Sequence, residues 1–259
     1  MPAVSSAVLK RWARKMLACM PAGLARGVRR AYYLALVRRV REDQWLPAAG
    51  VRHLLRPGQR VVDVGANIGH VTYFLSQCVG ESGRVYSLEP VPDTFDILRH
   101  NVRKLGLRNV ELFNCAASSS EGSAQMGIPE YEDGGRNYYE SHVLKQGQPV
   151  AGAVTVEVRL RTLDSLLGTE PGPIGFIKVD AEGHELDVLL GAQGTVRRDR
   201  PAILVEVAGD PDAPGAAAGK LFELMEREGY RPHLVVGDRV EPRKPGQRAV
   251  DYLFLAAPR

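Results

Sequence analysis

A chain of 259 residues can bury one large core plus a small appendage, and with 44% hydrophobic and 25% charged residues it is neither disordered nor fibrous. The net charge of +4 conceals an asymmetry: residues 1–41 hold ten Lys or Arg and no Asp or Glu, leaving the rest of the chain acidic. A body without an overall positive field argues against nucleic acid as a partner, and three scattered cysteines argue against a disulfide framework or zinc site, in keeping with a reducing cytoplasm.

No apolar run approaches the ~20 residues that span a bilayer. In chain order, helical spacing predicts a first amphipathic helix over residues 6–20, with Val8, Leu9, Trp12, Met16 and Leu17 on one face and Lys10, Arg11, Arg14 and Lys15 around the other. Pro21 ends it. A second helix is predicted over residues 24–40, with Leu24, Val28, Ala31, Tyr32 and Leu36 inward and Arg29, Arg30, Arg38 and Arg39 largely outward. Three readings of this basic arm stand open: a helical cap on the domain or on a dimer partner, a surface that lies on anionic membrane, and a targeting peptide, which fits least well because its apolar stretch is interrupted. Residues 1–50 are thus read as a basic helical extension and 51–259 as the main domain.

From residue 60 strands and helices alternate, which predicts a parallel sheet with right-handed crossovers. Strands fall at 60–64, 84–88, 110–115, 174–179 and 202–207. The last two, at 230–236 and 251–256, are joined by a connection short enough to favour an antiparallel pair at the sheet edge. The rhythm breaks over 118–160, rich in Ser, Gly, Tyr and acids, which reads as an inserted lid with one extra strand at 154–160.

The chemistry gathers at strand ends, where open α/β sheets bind ligands. Arg60–His70 is strand, tight turn and helix N-terminus, with Asp63 placed to accept hydrogen bonds from a cationic or amine-bearing ligand, and Gly65 and Gly69 allowing a sharp turn and close approach. Asn67 and His70 occupy glycine positions of the dinucleotide fingerprint, which argues against NAD. Glu89, ending the second strand, is placed to take both hydroxyls of a ribose, and Asn114 and Ala116 to border an adenine. After the fourth strand come Asp180, Glu182 and His184, two carboxylates and an imidazole within five residues, candidates for a general base. Glu182 and Glu185 share a helical face on this reading, and helix capping by Asp180 and Glu182 competes with catalysis. His70 and His142 are outside candidates. Asp180 with Glu206 could hold a divalent cation, but no ligand-spaced pattern demands one, and no metal is assigned.

The series D-x-G-A-N-x-G, an acid ending strand two, T-L-D, and I-K-V-D-x-E-G-x-E-x-x-x-L-x-G-A, from about Val61 to Val207, resembles the FkbM family of S-adenosylmethionine-dependent methyltransferases. The resemblance implies a Rossmann-like class I methyltransferase fold, a seven-stranded mostly parallel sheet with an antiparallel edge strand, and O-methylation of a hydroxyl on a sugar, polyketide or other natural product. By position, Asp63, Gly65, Ala66, Asn67, Gly69 and Glu89 would hold S-adenosylmethionine, with Asn114 and Ala116 beside it. Asp180, Glu182 and His184 would face the methyl group and the acceptor, a small hydroxylated molecule that is glycosylated or lipid-linked on some readings; apart from the resemblance, Asn137 and Ser141 of the inserted lid and Glu206 at a strand end are read as substrate-binding. A non-catalytic protein that keeps the fold to bind a partner is the alternative.

Overall fold

The computed structural model describes residues 20–39, 47–129, 141–144, 154–168 and 172–258, so the expected helix over 6–20 lies outside the described residues except for Met20. Helix α1, Ala22–Arg39, and the short α2, Ala48–Arg52, precede the sheet. Strand β1, Arg60–Val64, leads to α3, His70–Val79; β2, Arg84–Leu88, leads to α4, Pro92–Leu105; and β3, Val110–Phe113, follows. Four strands then leave the main sheet: β4, Ala116–Ala117; β5, Gly122–Ile128; β6, His142–Val143; and β7, Val154–Arg161. Helix α5, Leu163–Leu167, returns the chain to β8, Ile174–Val179, followed by α6, Glu185–Leu190, α7, Gln193–Asp199, β9, Ala202–Glu206, and α8, Ala217–Arg227. Strands β10, Tyr230–Val236, β11, Arg239–Pro242, and β12, Asp251–Ala256, complete it.

The main sheet runs β11-β10-β12-β9-β8-β1-β2-β3. Neighbours from β9 to β3 are parallel, while β12 is antiparallel to both β9 and β10. All seven expected strands are present, in a Rossmann-like sheet. Two details differ from the expectation. The reversed strand β12 lies inside the sheet rather than at its edge, and an eighth strand, β11, hairpins onto β10 through Gly237-Asp238, with Gly237 at φ 63. A two-residue turn of this kind matches the twist of paired strands.

Both sheet faces are covered, as a parallel sheet requires. Side chains alternate along β1: Val61 packs with α2 and α3 through Val51, Phe74 and Leu75, whereas Val62 and Val64 pack with the α5–α8 side through Leu163, Val188 and Leu221. The crossing point, where β1 has β2 on one side and β8 on the other, opens a crevice beyond the carboxyl ends of the strands.

The insertion is a second sheet of order β4-β7-β5-β6, with β5 and β7 antiparallel over seven residue pairs. Strand β5 was not foreseen, because its sequence GSAQMGI is poor in β-branched and aromatic residues; Met126 and Ile128 anchor it against Val91, Ala116 and Val158.

Helix α1 is rotated from the expectation, although Leu36 faces inward and Arg38 and Arg39 outward as expected. Leu24, Val28 and Tyr32 are exposed, and it is Ala25 and Val37 that are buried, with Tyr33 and Leu36 packed alongside Ile68, Ile97 and Tyr73. Arg30, expected outward, turns inward and grips Asp96 of α4 with three hydrogen bonds of 2.6–3.1 Å. The packing of Val37 and this ion pair outweigh the larger apolar area of the other face.

Candidate functional site

Beyond the crossing point lies a cavity of about 280 Å³. Of the predicted residues, Gly65, Asn67, Glu89, Ala116, Ser141, Asp180, Glu182, His184 and Glu206 line it, joined by apolar side chains that include Leu88, Met126 and Val143 from the two sheets and Val91 from the turn before α4. Asn137 lies outside the described residues.

The glycine turn forms one wall. Gly65 stands at φ 73, and a Cβ there would collide with the carbonyl oxygen of Asp180, so only glycine lets the turn close onto the end of β8. Gly69, at φ 97, precedes α3 without lining the cavity, and Ala66 is buried with Leu98 and Val102. Asn67 takes φ 49, a left-handed conformation that asparagine tolerates. Its side-chain Oδ1 is buried and has no hydrogen-bond partner among the described residues.

Glu89 is nearly fully buried, and each carboxylate oxygen accepts one backbone N–H: Oε2 from Asn67 at 3.0 Å and Oε1 from Val91 at 2.9 Å. Each oxygen keeps a further lone pair, so two acceptors stand side by side, the arrangement a vicinal diol needs. Burial pushes the Glu89 carboxyl up to about 7, and the two N–H groups oppose it. Asn114 does not reach the cavity; its amide donates to the carbonyls of Glu89 at 2.8 Å and Pro90 at 3.0 Å and so fixes the turn that carries the acid. Cys115, also on the wall, has its thiol pushed up to about 11 by burial.

Asp63 lies beneath the cavity rather than on its wall. It is fully buried, its Oδ2 accepts the Thr72 hydroxyl at 2.6 Å, and that hydroxyl sits 3.0 Å from Ser87. Burial raises its proton affinity, with Lys178 opposing. The expected contact between Asp63 and a ligand gives way to a structural role: the acid ties β1, β2 and α3 together under the turn.

Lys178 is the residue the sequence reading passed over. Its ammonium, buried at 8% side-chain exposure, lies 3.0 Å from Asp180 Oδ2 and 3.9 Å from Asp63 Oδ1, with the carbonyls of Val64 and Gly65 at 3.4 and 3.5 Å. Burial works against its charge, but Asp180 and Asp63 overcome it and raise its proton affinity. The signal was available, because a lysine in a central strand covered on both faces must meet an acid.

Asp180–His184 is a turn, not the first helical turn. Helix α6 starts at Glu185, whose Oε1 accepts the N–H groups of Ala181 at 3.2 Å and Gly183 at 2.8 Å. Glu185 thus braces the turn before the helix, which has no side-chain cap from Asp180 or Glu182, and Glu182 is left at φ 48 on the cavity wall. A glutamate in that conformation costs on the order of 1 kcal/mol. His184 has Nε2 hydrogen-bonded to Ser118 Oγ at 3.0 Å, and its Nδ1 lies 3.4 Å from Asp187 Oδ2. Glu206 closes the wall; burial, and then repulsion from Asp180 and Asp251, raise its proton affinity. Among the described residues no group of three or more His, Cys, Asp or Glu is placed to hold a metal ion.

The model of the Methyltransferase FkbM domain matches residues 63–232. Methyltransferase sdnD of Sordaria araneosa is 28% identical over 209 residues, covering 70% of this chain and 76% of that protein. Methyltransferase 1 of Beauveria bassiana is 27% identical over 143 residues, 51% of this chain and 57% of its own length. Among solved structures, a putative O-methyltransferase from Klebsiella pneumoniae superposes with a TM-score of 0.50 at 15% identity, covering 96% of each chain, a likeness of fold.

Proposed function

Because the chain belongs to the FkbM family of S-adenosylmethionine-dependent methyltransferases, we propose that it methylates a hydroxyl oxygen of a sugar, polyketide or other natural product. The cofactor supplies a methyl group already activated on a sulfonium, so the protein has to bind, align and exclude water.

The observation that carries this reading is the meeting, in one cavity, of the Gly65–Asn67 turn, the paired acceptors of Glu89 and the carboxylate of Asp180. Glu89 would take the ribose hydroxyls, Asn67 the amino acid portion of the cofactor, and Ala116 would leave room for the adenine. Asp180 would receive the acceptor's proton, since Lys178 holds only its Oδ2. His184, hydrogen-bonded through Nε2 to Ser118, serves as wall rather than base. The described lining has four carboxylates, Glu89, Asp180, Glu182 and Glu206, and no Lys or Arg, which suits a neutral or cationic hydroxylated acceptor over a phosphate or carboxylate. In this reading residues 51–259 are the catalytic domain, and the insertion at 118–160 contributes the acceptor side through Met126, Ser141 and Val143.

Titration calorimetry with S-adenosylhomocysteine, followed by transfer of labelled methyl to a panel of hydroxylated acceptors, tests the proposal. Binding lost in Glu89→Ala, and turnover reduced about 10²–10⁴-fold in Asp180→Asn with binding kept, is the expected result. Cofactor binding without turnover on any acceptor would favour the non-catalytic alternative, and no binding by the pure protein would remove the reading.

A further inference from the structure

Helix α1 has a bound side and a bare one. On the bound side Ala25, Val37 and the Arg30–Asp96 pair hold it to the domain. On the bare side Leu24, Val28 and Tyr32 recur one turn apart, 58%, 40% and 58% exposed, with exposed Ala31 and Ala35 between them. The helix contains five arginines and no acid, and Arg38 and Arg39 stand exposed at its end.

Two features choose the occupant. Eighteen residues make a helix about 27 Å long and 10–12 Å across. One face of it, roughly 300 Å², falls well short of the ~800 Å² per partner that a stable protein interface buries. A second copy docked on the same face would also bring two arginine-rich helices together, whereas anionic headgroups would complement them. Among the described residues no helix is long and apolar enough to cross a membrane, so the contact would lie on the surface. We infer that α1 docks the protein on an anionic lipid surface, inserting Leu24, Val28 and Tyr32 at the headgroup boundary with Arg38 and Arg39 at the phosphates.

The test is co-sedimentation of the full chain with vesicles of equal parts phosphatidylglycerol and phosphatidylcholine, against vesicles of phosphatidylcholine alone. The native chain should sediment with the first, not the second, and lose binding as salt rises. The variant Leu24→Gln/Val28→Gln/Tyr32→Gln, which keeps the net charge and touches only exposed positions, should bind at least tenfold more weakly with an unchanged unfolding midpoint. Arg38→Gln/Arg39→Gln should weaken binding and flatten its salt dependence. The inference is overturned if anionic vesicles do not retain the native chain, or if the triple variant binds as well as native. It is equally overturned if light scattering shows the triple substitution splitting a dimer while vesicle binding stays intact, because a second copy then covers the face.

Discussion

The ammonium of Lys178 near the end of β8 and the carboxylate of Asp180 just beyond it lie 3.0 Å apart, with the ammonium buried and the carboxylate on the cavity wall. The same ammonium faces Asp63 at 3.9 Å, so one cation answers two acids of different purpose. Lys178→Met would leave Asp63 buried without its counter-charge. Breaking a buried pair from one side costs about 3–5 kcal/mol, which urea unfolding would read directly. Adding Asp63→Asn should restore much of that stability, since both buried charges are then gone. Methyl transfer should stay low in the double variant, because Asp180 has still lost its neighbour. Recovered turnover would show that Lys178 acts only on the fold.

Glu89 predicts a pH dependence with a definite sign. Its carboxyl ionises near 7 in the folded protein against an ordinary 4.5, so the folded state holds the proton more tightly. Between those values stability falls as pH rises, by about 3 kcal/mol in all, and Glu89→Gln should remove that slope. Binding runs the opposite way, because the ionised carboxylate is the better acceptor for two hydroxyls. Affinity for S-adenosylhomocysteine should therefore rise as pH passes through about 7 and be flat in the Gln variant, as calorimetry at several pH values would show.

Gly65→Ala should damage the turn more than an ordinary glycine substitution. The added methyl group meets the backbone of Asp180 rather than a side chain that can swing away, and φ 73 is unfavourable to any L-residue. A loss of about 1–3 kcal/mol is expected, together with loss of cofactor binding. A variant that binds normally would show that the turn opens at little cost.

His184→Gln separates wall from base. Nε2 is hydrogen-bonded to Ser118, and Nδ1 lies 3.4 Å from the Asp187 carboxylate, so in the proposed reading the ring packs the wall. Turnover should fall about tenfold or less, against the larger loss in Asp180→Asn. A loss of a thousandfold in His184→Gln, with cofactor affinity kept, would transfer the role of base to the imidazole.

Much of the frame was legible in the chain. The β-branched run Val61-Val62-Asp63-Val64 and the glycines after it announced the turn, and the acids at strand ends announced where the cavity lies, because strand termini can be read from local pattern alone. Roles that depend on depth could not be read that way. Asp63 and Glu89 both end or nearly end strands, yet one points into the α3 layer and the other into the cavity. Helix α1 failed for a related reason. Periodicity named Leu24, Val28 and Tyr32 as one face but could not foresee that Asp96, 66 residues after Arg30, would draw the other side inward. Strand β5 is held by its partners β6 and β7 rather than by its own propensities.

The wall residue Cys115 has a chemical consequence. A sulfur nucleophile next to an alkylating agent invites self-inactivation, and thiolates react where thiols do not. With its thiol pushed up to about 11, Cys115 is ionised in only about one molecule in 10⁴ at neutral pH. If the cofactor occupies this cavity as proposed, a buried and protonated thiol would be a poor nucleophile toward its methyl group.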